Sequence, residues 1–235
     1  YNARNHEYYS EDAVLTSGQA VAFISGGKEY GVIIAPKHLA FNDTEINRTG
    51  VSVFMTEQQA RENELRGTQA AIEDAGALGV MTAFNRVGIT AANAHTGLLK
   101  NILRGEWGFK GLESQDFIMN PNYAVLKEYA LNGGTMTTFT GENTMAAVSE
   151  KFAYWTTENV GQDTELMSAI KQAMTWQAYA LANSNALDGM ASSTRLVSVR
   201  TWYDNALVAV QVVFAALTVL AAAMYVLNDR KSKKQ

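Results

Sequence analysis

The stretch GFKGLESQDF, Gly108 to Phe117, begins as a turn and runs into what reads as a short strand, Leu112 to Phe117. Glu113, Ser114, Gln115 and Asp116 stand where a core strand would carry apolar residues. In a parallel α/β fold the carboxyl ends of strands open into the βα loops, and side chains that do chemistry gather there. A lone carboxylate at such an end more often caps the following helix or loop. The flanking sequence decides between a cap and a site.

On the N-terminal side, Asp12 to Tyr30 predicts a helix with Val14, Leu15, Val21 and Ile24 as apolar positions. Gly31 to Pro36 predicts a buried strand ending near Lys37 and His38. Thr56 to Gln59 has the form of a capping box opening a helix that runs to about Ala75. Gly79 to Phe84 predicts a second strand, and Thr96 to Leu103 a short helix. On the C-terminal side, Asn120-Pro121 places proline at the first position of a helix. Thr135 to Phe139 is a possible fourth strand. Thr164 to Asn183 predicts an amphipathic helix with Leu166, Ile170, Ala173, Met174 and Trp176 toward one side. Gly141 to Asp163 reads as a polar connector and Leu187 to Arg200 as a stalk. Strands alternating with helices imply a parallel sheet and an α/β class. Four strands are half of what a closed (β/α)8 barrel needs, so the pattern fits half of such a barrel or a small open sheet. Three polar clusters fall at expected strand ends: Lys37-His38, Phe84-Asn85-Arg86 and Gln115-Asp116. Three in succession shift the reading of Asp116 from cap to site.

Composition narrows the function further. At 47% hydrophobic the chain can bury a substantial core, which argues against disorder. With no cysteine there is neither a disulfide framework nor a thiolate metal site. His6, His38 and His95 lack metal-ligand spacing, so no metal and no cofactor is expected. A net charge of −4 without a basic stripe argues against nucleic acid as a partner.

Ala206 to Leu227, ALVAVQVVFAALTVLAAAMYVL, carries no charge, with Gln211 and Thr218 its clearly polar residues. About 20 apolar residues suffice to cross the hydrocarbon core. Trp202, Tyr203 and Tyr225 lie where interfacial aromatics belong, and Arg230, Lys231, Lys233 and Lys234 follow. The expectation is a single-pass transmembrane helix over 206–227. The basic tail, 228–235, would lie in the cytoplasm and the body outside the cell. The body is divided as 1–190, with a stalk over 191–205.

Five ordered motifs resemble one family. Arg4-Asn-His-Glu-Tyr-Tyr-Ser-Glu-Asp12, Lys37-His-Leu-Ala-Phe-Asn42, Val80-Met-Thr-Ala-Phe-Asn85 and Leu103-Arg-Gly-Glu-Trp-Gly-Phe-Lys-Gly111, the last followed by Asp116, look like glycoside hydrolase family 3. Leu181 to Gly189 is similar to the helix that often closes that family's barrel. The resemblance covers roughly residues 1–190 and implies the C-terminal half of a (β/α)8 TIM-type barrel. It also implies a retaining exo-β-glycosidase acting on a β-linked oligosaccharide or glycoside, in which a carboxylate attacks the anomeric carbon and a second carboxyl serves as acid, then base. The family's nucleophile falls on Asp116. Its sugar-binding arginine falls on Arg4 and its lysine–histidine pair on Lys37 and His38, with Arg48 and Phe84 in the same site. The chain continues Lys37-His-Leu-Ala-Phe-Asn-Asp43, where the N-acetylglucosaminidase branch has KHFPGHG, so the resemblance is to the β-glucosidase/β-xylosidase branch.

The chain departs from that pattern in places. Phe84 stands where many members have a tyrosine whose hydroxyl orients the nucleophile. Glu113 and Gln115 occupy an otherwise apolar strand, and a buried glutamate needs a partner or a raised pKa. The family's acid/base glutamate sits on a separate sandwich domain, expected here upstream of Tyr1 in a longer chain, so this part alone is expected to be weak. Glu57, Glu62 and Glu64 read as solvated helix charges. The alternative is a non-catalytic surface glycan-binding homologue that kept the sugar-holding residues.

Overall fold

The first long helix begins where the sequence places it. Asp12 has extended backbone, and its Oδ1 accepts the Leu15 N–H at 2.7 Å, which satisfies one amide of the open first turn. Helix α1 then runs Ala13–Glu29. Gly31, at φ 70°, turns the chain away in a conformation that glycine adopts without a Cβ clash. The computed structural model describes residues 4–42, 44, 46–47, 51–83, 85–117, 125–138, 153–188, 195, 197 and 199–232. The chain divides into two compact units, Tyr1–Gly189 and Met190–Gln235.

In chain order the strands of the first unit are β1 (Lys37–Leu39), β2 (Ser52–Val53), β3 (Gly79–Thr82), β4 (Arg86–Val87), β5 (Thr90–Ala91) and β6 (Leu112–Gln115). β1, β3 and β6 form a parallel sheet in that order, and β2, β4 and β5 form a smaller one beside it. The fold class is α/β, as the alternation predicts. The expected strand at Gly31–Pro36 begins only at Lys37. Pro36 has no N–H to give a ladder, although its carbonyl accepts the Met81 N–H at 3.1 Å. Val32 to Pro36 are correspondingly half-exposed or exposed rather than buried. The fourth strand reduces, among the described residues, to a single parallel bridge between Ser114 and Met136. The Asn120-Pro121 cap lies outside the described residues.

Thr56 does cap its helix: its Oγ1 accepts the Gln59 N–H at 3.2 Å. Helix α2 (Glu57–Gln59) passes through a π-helical run, Ala60–Glu64, before α3 (Arg66–Glu73). A second π-helical run, Gly97–Glu106, replaces the short helix expected from Thr96 to Leu103. α4 (Leu126–Leu131), α5 (Thr157–Gln162) and α6 (Thr164–Ala182) complete the unit. On α6 the buried residues are Leu166, Ala173 and Ala180, seven apart, so Met174 faces solvent, contrary to the sequence reading.

The sheet is covered unequally on its two faces. Val80, Thr82, Glu113 and Gln115 are paired in register and fully buried, in the layer that also holds Leu99, Leu103 and Tyr129. Met81, Leu112 and Ser114, on the alternate positions, are only half-buried. Gly111 enters β6 at a close approach, because a Cβ there would overlap the Leu78 carbonyl that accepts the Leu112 N–H at 2.8 Å.

Arg104 closes the buried layer. Its guanidinium donates to the carbonyls of Gly133 (2.7 and 3.1 Å), Phe109 (3.0 Å) and Gly111 (3.0 Å). It stacks on Trp176, 3.8 Å from the ring centroid, and lies 4.8 Å from that of Phe109. Burial lowers its pKa to about 10, against the opposing pull of Glu113.

In the second unit, helix α7 runs Trp202–Ser232. Its segment Trp202–Asp229 is long and apolar enough to cross a membrane by length and composition, and none of it is buried.

Candidate active site

The parallel order β1-β3-β6 brings three carboxyl ends to one edge. Leu39 pairs with Thr82, and Thr82 with Gln115, so one row of residues crosses the sheet at that edge. Asp116 lies one residue beyond the row, and its N–H donates to the Thr82 carbonyl at 3.0 Å. Ala83 N–H donates to the Leu39 carbonyl at 2.8 Å, which ties β1 into the same edge. The Lys37–His38 and Leu39–Ala40 peptide bonds are cis. Asn85, fully buried, donates from Nδ2 to the Ala40 carbonyl at 3.1 Å and so fastens the loop after β3 to the loop after β1.

Across this edge two side chains from the outer strands meet over the central one. Adjacent strands lie about 4.8 Å apart, so β1 and β6 are roughly 10 Å apart. His38 and Asp116 span that gap, with Nε2 of the imidazole 3.1 Å from Oδ2 of the carboxylate. Both side chains are almost wholly removed from solvent, at 1% and 7% exposure. Oδ1 of Asp116 accepts the Phe117 N–H at 2.9 Å. Behind the imidazole, the Tyr8 hydroxyl lies 2.8 Å from His38 Nδ1 and 3.3 Å from the Asn42 carbonyl.

A second cluster comes from the 3-10 turn Asn5–Glu7 and the start of β1. Arg4 donates from Nε to Glu7 Oε1 at 2.9 Å and from Nη2 to Oε2 at 2.7 Å, a forked pair. Lys37 Nζ donates to the same Oε2 at 2.7 Å. The hydrogen bonds from Arg4, then from Lys37, hold the Glu7 carboxyl well below the usual carboxylate range. Two cations and one anion therefore gather at the start of the strand that carries His38, and Arg4 itself is 7% exposed.

Four of the residues singled out in the sequence are thus placed in two adjoining groups, Arg4 with Lys37 and His38 with Asp116. Arg48 and Phe84 lie outside the described residues. Sequence reasoning missed Glu7 and Tyr8 as members of the site. Both stand in the first quoted motif, but what they do depends on partners about thirty residues away. Among the described residues, no group of histidine, aspartate and glutamate is placed to hold a metal ion.

Comparison with known proteins places the chain in a family. The model of the glycosyl hydrolase family 3 N-terminal domain matches residues 1–153. The chain belongs to glycosyl hydrolase family 3. A probable β-glucosidase J of Emericella nidulans is 40% identical over 114 residues, 48% of this chain and 13% of that protein. A β-glucosidase of Rhizobium radiobacter is 39% identical over 116 residues, 49% of this chain and 14% of that protein. Among solved structures, β-glucosidase 3B from Thermotoga neapolitana in complex with glucose matches with a TM-score of 0.67 at 27% identity, covering 79% of this chain and 26% of that one. The β-glucosidase D2-BGL from Chaetomella raphigera has the same fold, with a TM-score of 0.68 at 23% identity over 81% of this chain and 26% of that one. The chain therefore spans about a quarter of the solved family 3 structures and about a seventh of the curated relatives.

Proposed function

We propose that this family 3 chain supplies the nucleophile half of a retaining exo-β-glycosidase of the β-glucosidase/β-xylosidase type. The observation that carries the reading is Asp116, held at the carboxyl edge of the parallel sheet by the Phe117 N–H and faced by the His38 imidazole. Both partners favour the anion that a nucleophile must be. In the first step an Asp116 oxygen attacks the anomeric carbon of a β-glycoside. The C1–O bond to the leaving group breaks, its electron pair goes to the leaving oxygen, and a covalent glycosyl-enzyme forms. Lys37 and Arg4, with Arg48 and Phe84 as further members, hold the hydroxyls and the face of the bound sugar.

The protonated acid that assists departure comes from elsewhere in a longer chain. Glu7 is unsuited to it, because the two cations keep it ionised. Glu57 and Glu106 are both paired with Arg61. Glu113 has a raised pKa but is fully buried on the opposite side of the strand. General acid–base catalysis commonly contributes 10²–10⁴-fold, so this chain alone is expected to turn over natural glycosides slowly.

The body, 1–190, is read as the C-terminal half of a (β/α)8 barrel. Parallel sheets are ordinarily covered on both faces, and here one face is only half-buried, which supports a missing set of strands. Residues 191–205 are read as a stalk, 206–227 as a single membrane span and 228–235 as a cytoplasmic tail, with the body outside the cell. The length and exposure of helix α7 support the span, and the basic residues after it support the orientation.

The test uses an activated 2-deoxy-2-fluoro-β-glucoside, whose good leaving group reduces the need for the acid. Peptide mapping by mass spectrometry is expected to find the sugar on the Gly111–Lys127 peptide and to lose it in Asp116→Asn. A folded protein that binds glucosides but never carries the sugar mass would instead favour a non-catalytic surface glycan-binding homologue.

A further inference from the structure

Three groups in the site form one line: the Tyr8 phenol, the His38 imidazole and the Asp116 carboxylate, at 2.8 and 3.1 Å. For a neutral imidazole, the chemistry of its two partners sets where the protons lie. An ionised carboxylate only accepts, so the His38 nitrogen that faces it, Nε2, must carry a hydrogen. A neutral imidazole then presents Nδ1 as an acceptor. The Tyr8 hydroxyl is then the donor at that nitrogen, and another acceptor near it, the Asn42 carbonyl, lies farther off at 3.3 Å. The imidazole is almost wholly buried, so water is a poor substitute for the phenol.

We infer that Tyr8 is a positioning residue: its hydroxyl holds His38 as the Nε2–H tautomer and aims that N–H at Oδ2 of Asp116. The inference rests on the reading of Asp116 as the nucleophile and adds how its second oxygen is held. With the Phe117 N–H on Oδ1 and the imidazole N–H on Oδ2, both oxygens have a donor and the carboxylate plane has one orientation. Tyr8 does this from outside the sheet, on the segment between the turn Asn5–Glu7 and α1. Without the phenol, the proton can move to Nδ1. Nε2 would then turn a lone pair toward the carboxylate, and the imidazole N–H would no longer reach Oδ2.

Two measurements on the 235-residue chain in detergent test the assignment. The first is the ¹⁵N shifts of the His38 imidazole, which distinguish the two tautomers and the cation. The second is the rate at which a 2-deoxy-2-fluoro-β-glucoside with a dinitrophenyl leaving group labels Asp116. His38 is expected as the Nε2–H tautomer in the wild type and as a mixture or the Nδ1–H form in Tyr8→Phe. Labelling is expected to slow about tenfold in that variant, the effect of one lost hydrogen bond to a reacting group.

Labelling slowed without a change of tautomer would overturn the proposal, because a purely structural role does that. Unchanged labelling with unchanged shifts would overturn it too. A wild type that resists labelling, but whose tautomer is lost in Tyr8→Phe, would remove Asp116 as nucleophile and leave the positioning by Tyr8 standing. Should Tyr8→Phe not fold, the wild-type spectrum alone decides: an Nδ1–H tautomer there excludes the arrangement.

Discussion

Asp116 and Glu113 are three residues apart at one strand end, yet they live in different environments. Asp116 sits at the open edge of the sheet between an imidazole and a main-chain N–H. Glu113 is wholly buried behind the sheet. Its Oε1 accepts the Thr82 hydroxyl at 2.8 Å, and Oε2 has no hydrogen-bond partner among the described residues. Burial raises its pKa to about 7, offset in part by the Tyr129 and Thr82 hydroxyls and by the charge of Arg104. Strand alternation thus sends two carboxyls on one short segment to opposite sides of the sheet, and burial raises the pKa of the inner one. The one at the edge faces an imidazole; the one behind it lies in the core.

The largest expected effect separates the two functionally. Asp116→Asn is expected to abolish the covalent adduct, since an amide cannot take the anomeric carbon. Glu113→Gln has the same change of atoms on the other face and is expected to leave the labelling rate within about twofold, in keeping with a residue remote from the reacting atoms. Loss of the adduct in both variants would mean that the two faces of β6 act as one unit, and the contrast drawn from their burial would be wrong.

The next effect concerns the cation of the buried side. Arg104→Ala removes donors from three main-chain carbonyls and the counter-charge of Glu113 at once. Leaving such buried groups without partners is expected to cost roughly 3–5 kcal/mol, read as a fall in the midpoint of urea unfolding. Arg104→Lys is expected to recover only part of this, because a single ammonium cannot reproduce the fork or its stacking on Trp176. Recovery to the wild-type midpoint by lysine would show that charge alone matters there.

Glu113 also makes a prediction about pH. Its carboxyl has a higher pKa folded than unfolded, so the folded state holds the proton more tightly. That stability is fully present below the unfolded value of 4.5 and is lost as pH rises to about 7. The span corresponds to about 3 kcal/mol by linkage. Urea unfolding of the wild type is expected to show stability from this group falling between those pH values, and Glu113→Gln to flatten that slope. A slope unchanged by the substitution would show that Glu113 is ionised when folded, paired more closely with Arg104 than its contacts indicate.

How much of this was legible in the sequence differs between the same two regions. Asp116 stood out because it ends a strand in a run of βα units, and strand ends are where chemistry gathers. The polarity of Glu113 and Gln115 was visible as an anomaly, but its resolution depends on Thr82, Asn93 and Arg104, which no local pattern brings to them. Glu7 was equally hidden: its partner Lys37 lies 30 residues on, and only the fold sets the two side by side. The early start assigned to the first strand failed because Val32, Ile33 and Ile34 are apolar but are followed by Pro36, and apolar character alone does not make a ladder. Met174 failed for a different reason. Helical spacing marks a stripe, and a residue next to the stripe reads much like one inside it.

The smallest effect tests the surface counterpart of Arg104. Arg61 donates to Glu106 at 2.6 and 2.9 Å and to Glu57 at 2.8 Å, so by distance alone it is as well paired as any cation in the fold. Its pKa is raised, first by the hydrogen bond to Glu106 and then by that to Glu57. All of these groups face solvent, where holding long side chains in one geometry costs entropy and salt screens the attraction. Arg61→Ala is therefore expected to lower the urea midpoint only slightly, and the difference is expected to shrink further when salt is raised. Arg104, with longer hydrogen bonds but a half-buried setting stacked on Trp176, is expected to show the larger loss and less salt dependence. If Arg61→Ala proved as damaging as Arg104→Ala, burial would not be what separates the two regions. The forked bridge between the two π-helical runs would then have to be counted as a structural element in its own right.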